Sequence, residues 1–139
     1  MLCRAVLFES NYWKISGSHD GYLKRFNTIH ERDIEFYPEQ MKFIGFDKLL
    51  MKDKSQNIKF DIRFHLEPDI KVMKTQDNKS ILIELEYEGW KFNCENFDIN
   101  IDNGLYLGIK NSYKENQNIC ISGTSKEINQ TIKWEFTRL

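Results

Sequence analysis

Ile58-Lys59-Phe60-Asp61-Ile62-Arg63-Phe64-His65-Leu66 is the stretch that decides the fold. Five large apolar residues alternate with four polar ones, so an extended backbone places every apolar side chain on one face. A helix would scatter the same residues around its circumference. The pattern predicts a strand with one face in a core. It recurs at Phe97, Ile99 and Ile101 against Asp98, Asn100 and Asp102, and at Ile132, Trp134 and Phe136 against Lys133, Glu135 and Thr137.

Working outward, further strands are predicted over Leu7 to Lys14, Thr28 to Tyr37, Met41 to Gly45, Ile70 to Thr75, Ser80 to Leu85, Gly89 to Cys94 and Asn118 to Gly123. Leu49-Leu50-Met51 reads as a buried strand or a single helical turn. Turn-forming clusters separate these runs: Ser16-Gly17-Ser18, Tyr37-Pro38-Glu39, Lys52-Asp53-Lys54-Ser55, Gln76-Asp77-Asn78 and Asp102-Asn103-Gly104. The polar stretch Lys110 to Asn116 reads as the longest loop. About ten short strands at this spacing predict an all-β fold, an antiparallel sandwich with little or no helix. With 139 residues and no internal linker, residues 1–139 read as one domain.

Composition excludes several functions. The 20 Lys and Arg against 21 Asp and Glu give a net charge of −1, so no basic field attracts a nucleic-acid backbone. Hydrophobic residues make up 40% and aromatic ones 14%, enough to build a core despite a mean hydropathy of −0.60. No apolar run approaches the roughly 18 residues of a membrane span. The run after Arg4 is shorter than the about 7 to 15 residues of a signal-peptide core. Cys3, Cys94 and Cys120 lack metal-ligand spacing and read as buried or half-buried free thiols.

The candidate chemistry is concentrated on a few strands. Thr28, His30 and Arg32 share one face of a predicted strand, and Arg63 and His65 share one face of another. Two such His/Arg pairs, with Lys24 and Arg25 near one of them, could bind carboxylates or sulfates, since guanidinium forks match planar anions. The alternative is a solvated face whose arginines pair with Glu31, Asp33 or Asp61. Ser18-His19-Asp20-Gly21-Tyr22 reads as a turn in which Asp20 bonds a backbone amide and Gly21 takes positive φ, with His19 and Tyr22 anchoring its flanks. Adjacent Ser, His and Asp cannot form a catalytic triad with one another. The three histidines His19, His30 and His65 match no helix-borne metal motif, and no phosphate-binding or nucleophile-elbow motif is present.

Taken in order, Ser18-His19-Asp20-Gly21-Tyr22, His30-Glu31-Arg32 and Ile62-Arg63-Phe64-His65-Leu66-Glu67-Pro68-Asp69 resemble the C-terminal β domain of heparinase II/III-like proteins. Gly89-Trp90, Ile121-Ser122-Gly123-Thr124 and the closing aromatic strand around Trp134 and Phe136 are similar to later parts of that domain. The likeness runs from about Trp13 to the C-terminus. It implies a polysaccharide lyase family in which an α/α toroid precedes a β-sandwich and the substrate cleft lies between them. Such enzymes cleave uronic-acid-containing glycans by β-elimination: a base removes the proton α to the carboxylate, a donor neutralises that carboxylate, and the 4-O bond breaks.

The resemblance also implies that the family's catalytic Tyr and His, and its metal ligands, lie upstream of the matched segments. The expectation is therefore a domain incomplete at its N-terminal side and inactive without the toroid or a separate chain supplying it. No catalytic residue and no cofactor are assigned here, although a metal such as zinc could belong to the upstream β segment. His19, Tyr22, His30, Arg32, Arg63 and His65 are the candidate substrate-binding residues. The family implies a periplasmic or secreted location. The alternative function is a stand-alone module that binds an acidic polysaccharide. An unpaired strand edge with an uncovered apolar patch favours the domain of a larger lyase, whereas a closed sandwich favours the module.

Overall fold

The computed structural model describes residues 3–53 and 57–139, and apart from one short helix and one 3-10 turn its regular structure is β. In chain order the elements are β1 (Cys3–Phe8), β2 (Trp13–His19), α1 (Leu23–Phe26), β3 (Thr28–Tyr37), a 3-10 turn (Pro38–Gln40), β4 (Lys42–Met51), β5 (Ile58–His65), β6 (Lys71–Lys74), β7 (Ser80–Glu84), β8 (Gly89–Cys94), β9 (Asp98–Ile109), β10 (Ser112–Ser125) and β11 (Asn129–Arg138). They form an eight-stranded sheet in the order β1-β2-β3-β4-β11-β8-β7-β6 and a three-stranded sheet in the order β5-β10-β9. Every pairing is antiparallel. The all-β sandwich expected from the alternation is therefore present.

The two sheets meet through the apolar phase of their strands. Ile81, Phe92, Ile119, Ile121 and Ile132 are fully buried. Phe64 of β5 brings its ring within 4.7 Å of Trp134 and 5.3 Å of both Phe92 and Phe136, which pins the small sheet to the large one. Burying each such side chain contributes about 1.5–3 kcal/mol.

Coverage of the large sheet is uneven. Parity carries the inward face from Phe136 and Phe43 across Phe36 to Trp13, Ile15, Val6 and Phe8. At the β1-β2 end that face is open: Val6 is 51% exposed, Phe8 71%, Trp13 50% and Ile15 55%. Rings continue the core outward, with Phe36 stacked on Phe43 at 4.5 Å, Trp13 edge-on to Phe36 at 5.5 Å and Phe8 edge-on to Trp13 at 6.2 Å. Among the described residues β5 pairs only with β10, so its other edge is unpaired.

Several local expectations are corrected. The predicted strand Leu7 to Lys14 straddles the turn between β1 and β2, because its polar centre Glu9-Ser10-Asn11 reverses the chain. Ser16-Gly17-Ser18 lies within β2, and Met41 to Gly45 and Leu49 to Met51 are one strand, β4. The expected loop Lys110 to Asn116 contracts to a two-residue turn at Lys110-Asn111, with Asn111 at φ 58°, and the rest belongs to β10. The side chains of residues 110–115 stand on an exposed hairpin arm, where backbone pairing with β9 needs no apolar partner, whereas Asn116 is buried and donates to the Leu66 carbonyl. Asp102-Asn103-Gly104 is also strand. Asn116 and Asn118 crowd the Gly104 Cα, so glycine serves close approach there, and not reversal. The expected turn Lys52 to Ser55 lies partly outside the described residues. Cys94 and Cys120 are free and buried, while the Cys3 side chain lies outside the described set.

Candidate functional site

Arg32 of β3 stands directly opposite Asp47 of β4, His30 opposite Leu49, and His19 of β2 opposite His30. All four polar groups therefore lie on the inward face of the large sheet, at the boundary between its covered and open parts. Asp47 is fully buried. Its Oδ1 accepts hydrogen bonds from His30 Nε2 at 2.6 Å and Arg32 Nε at 2.7 Å. Its Oδ2 accepts from Arg32 Nη2 at 3.1 Å and from the indole Nε1 of Trp134 at 2.7 Å. Burial pushes the Asp47 carboxyl pKa up, but the bonds from His30, Arg32 and Trp134 outweigh it and hold the group below its ordinary 3.8. The carboxylate is thus a charged, fully partnered anchor joining β3, β4 and β11.

A second layer extends from this anchor. His19 Nε2 lies 3.0 Å from His30 Nδ1, and the Gly21 backbone N–H donates to His19 Nδ1 at 3.2 Å. The edge of Tyr22 meets the His19 ring at 5.1 Å between centroids. In the turn itself Leu23 N–H donates to the Asp20 carbonyl. The His19 side chain, and not the expected Asp20, holds the first amide of the turn, and Gly21 does not adopt positive φ.

A cleft of about 320 Å³ opens where β5's unpaired edge passes over β3 and β4. Four of the six candidate residues line it: Tyr22, His30, Arg32 and Arg63. His19 stands behind His30, and His65 sits exposed at the end of β5, away from the cleft. The two His/Arg pairs do not merge into one face. His30 and Arg32 point between the sheets, whereas Arg63 is on the polar face of β5 and binds Asp102 at 2.8 Å and Asp61 at 3.2 Å. With Arg32 bound to Asp47, Lys59 is the cleft cation without an ion pair among the described residues. No group of three or more His, Cys, Asp or Glu side chains among the described residues is placed to hold a metal ion.

Sequence reading missed Asp47 and Trp134. The signal was present in β4, where Phe43, Gly45, Asp47, Leu49 and Met51 share one phase: a lone carboxylate in the apolar register of a strand requires donors. Trp134 reaches it because Gly45 leaves room; a Cβ there would fall within the indole.

The chain's residues 3–135 match the family model described as "Heparinase II/III-like, C-terminal". Among solved structures, it is similar to a heparan sulfate lyase HepC mutant from Pedobacter heparinus, with a TM-score of 0.80 at 11% identity over 97% of this chain. A heparinase III gene product matches with a TM-score of 0.73 at 12% identity over 98% of the chain, and a further heparinase III with 0.70 at 14% over 98%. At these identities the likeness is one of fold. The chain spans 21% of the length of each of these structures. No curated protein matches it. The match over nearly all of its length shows that the chain belongs to the heparinase II/III-like family, as its C-terminal domain.

Proposed function

We propose that this domain works as part of a heparinase II/III-like polysaccharide lyase that cleaves uronic-acid-containing glycans by β-elimination, with the bond-breaking groups supplied from outside these 139 residues. The observation that carries this reading is the uncovered apolar face of Val6, Phe8, Trp13 and Ile15 beside the open edge of β5. A self-sufficient binding module would close its sandwich over those rings, since exposed edges and contiguous apolar patches favour association. The remainder of a lyase covers this face in the proposed assembly. Engagement of His30 and Arg32 by Asp47, with His19 bonded behind His30, gives these three residues a structural duty and supports the absence of lyase chemistry from the domain alone.

The test is to add the α/α toroid portion of a heparinase II/III-like lyase and follow Trp13 fluorescence, using Trp13→Phe to isolate its contribution. Burial of the indole shifts its emission to shorter wavelength. Unchanged Trp13 emission in a mixture shown to cleave heparan sulfate would refute the assignment of this face as the covered one.

A further inference from the structure

The hydrogen-bond line that ends at Asp47 has a fixed proton order. Asp47 is ionised and accepts, so His30 Nε2 carries a proton. At the other end Gly21 N–H can only donate, so His19 Nδ1 is unprotonated and the neutral ring carries its proton on Nε2. That proton is donated to His30 Nδ1, the one remaining acceptor. Both rings are therefore neutral Nε2–H tautomers, assigned from the network they complete. Every ring nitrogen has one role and one partner.

This order leaves no free site for another proton. If a solvent proton adds to His19 Nδ1, an N–H then faces the Gly21 N–H. If His30 becomes the cation, it does so by receiving the Nε2 proton of His19, whose Nδ1 takes up a proton in exchange. Both routes end with the same N–H at His19 Nδ1 and the same lost acceptor for Gly21. We propose that the His19–His30 pair is an acid-operated latch on the Asp20–Phe26 wall of the cleft, released when one proton is added to the pair.

The released segment carries the Tyr22 and Phe26 side chains that line the cleft. Their rings pack on each other at 6.3 Å and Tyr22 packs on His19, so loss of the Gly21 bond unfastens the Tyr22 end of the wall, while Thr28 Oγ1 donating to the Phe26 carbonyl and Lys52 N–H donating to the Asn27 carbonyl hold its far end. The charges around the pair oppose a second cation on most sides. Arg32 lies beside His30 on β3, Arg4 of β1 is registered against Gly17 on the same face, and Lys24 and Arg25 follow on α1. Lys59 and Arg63 stand across the cleft with Asp61. Asp20 favours a charge on His19, while Asp47 is already matched by Arg32. Burial and the His30 ring together hold His19 below its ordinary 6.5, which keeps the latch closed at neutral pH.

Long-range nitrogen–proton NMR on the intact chain, titrated from about pH 8 to about pH 4, reads both tautomers and the Gly21 amide together. Both rings are expected as Nε2–H at the start. The Gly21 amide should then shift with the midpoint of the pair and exchange at least about tenfold faster below it. His19→Gln should abolish that shift, and Asp20→Asn should retain it. An Nδ1–H tautomer of His19 at high pH, or a Gly21 transition that disappears in Asp20→Asn, would overturn the proposal. Because the wild-type tautomers decide the first point, a poorly folded His19→Gln would not rescue it.

Discussion

The indole N–H of Trp134 donates to the carboxylate of Asp47 over 2.7 Å, between residues 87 positions apart in the chain. β11 is thereby fastened to β4 by a side-chain bond inside the same face that their backbone ladder builds. Arg32 stacks its guanidinium 6.0 Å over the Trp134 ring and 5.9 Å over Phe64 while binding the same carboxylate. One acidic residue thus gathers three strands of the large sheet and touches the packing of the small one.

Removing that acid should be costly. Asp47→Ala leaves the Arg32 charge, the His30 N–H and the Trp134 N–H without their acceptor, for an expected loss of about 3–5 kcal/mol. Urea denaturation monitored by fluorescence measures it. A loss below about 1 kcal/mol would show that Asp47 does not anchor the three strands.

Gly45→Ala tests the same junction sterically. Its Cβ would enter the Trp134 indole, so the ring must move and its bond to Asp47 lengthen. Overpacking of this kind costs about 1–3 kcal/mol. The expected signature is lower stability together with an altered near-ultraviolet dichroism from the tryptophans.

Acid should weaken the fold in two steps. His19 has a folded pKa below 6.5, so the unfolded chain binds its proton first; the stability linked to it is complete above pH 6.5 and is lost as the pH falls from there through the folded value. Asp47, held below 3.8, repeats the behaviour lower down: its contribution is complete above pH 3.8 and disappears as the pH drops through its folded value. Asp33 adds to the lower step, because bonds from Ser16, Lys14 and Lys48 outweigh the upward push of its burial. Denaturation midpoints across pH should show the upper step missing in His19→Gln and the lower one reduced in Asp47→Asn.

Charges on the open face should be tolerated by the isolated domain. Val6→Lys and Ile15→Lys alter side chains already 51% and 55% exposed, so each is expected to change stability by no more than about 0.5 kcal/mol. The same pair should reduce binding of an apolar fluorescent dye and block productive mixing with the toroid portion. A large loss of stability in the domain itself would mean that the face is already covered.

Strand identity was legible where the alternation had contrast. Ile58 to Leu66 reads as β5 because five apolar residues keep phase, and Thr28 to Tyr37 coincides with β3. That His30 and Arg32 share a face follows from the same period. Turn composition was less informative, since Asn103-Gly104 sits inside β9, where glycine admits two asparagine side chains. The center of the site was not legible, because Asp47 gains its meaning from long-range pairing. Only the register of β4 with β11 brings Ile132 opposite it and Trp134 within reach. The ordered motifs from Ser18 to Asp69 nevertheless identified the family, as residues 3–135 confirm.

The most direct measurement is the ultraviolet absorbance of unsaturated uronates released from heparan sulfate and other uronate glycans, by the domain alone and by its mixture with the toroid portion of a heparinase II/III-like lyase. No product is expected from the domain alone, and product is expected from the mixture. Product formed by the domain alone would contradict the proposed function, by placing the bond-breaking groups within these residues.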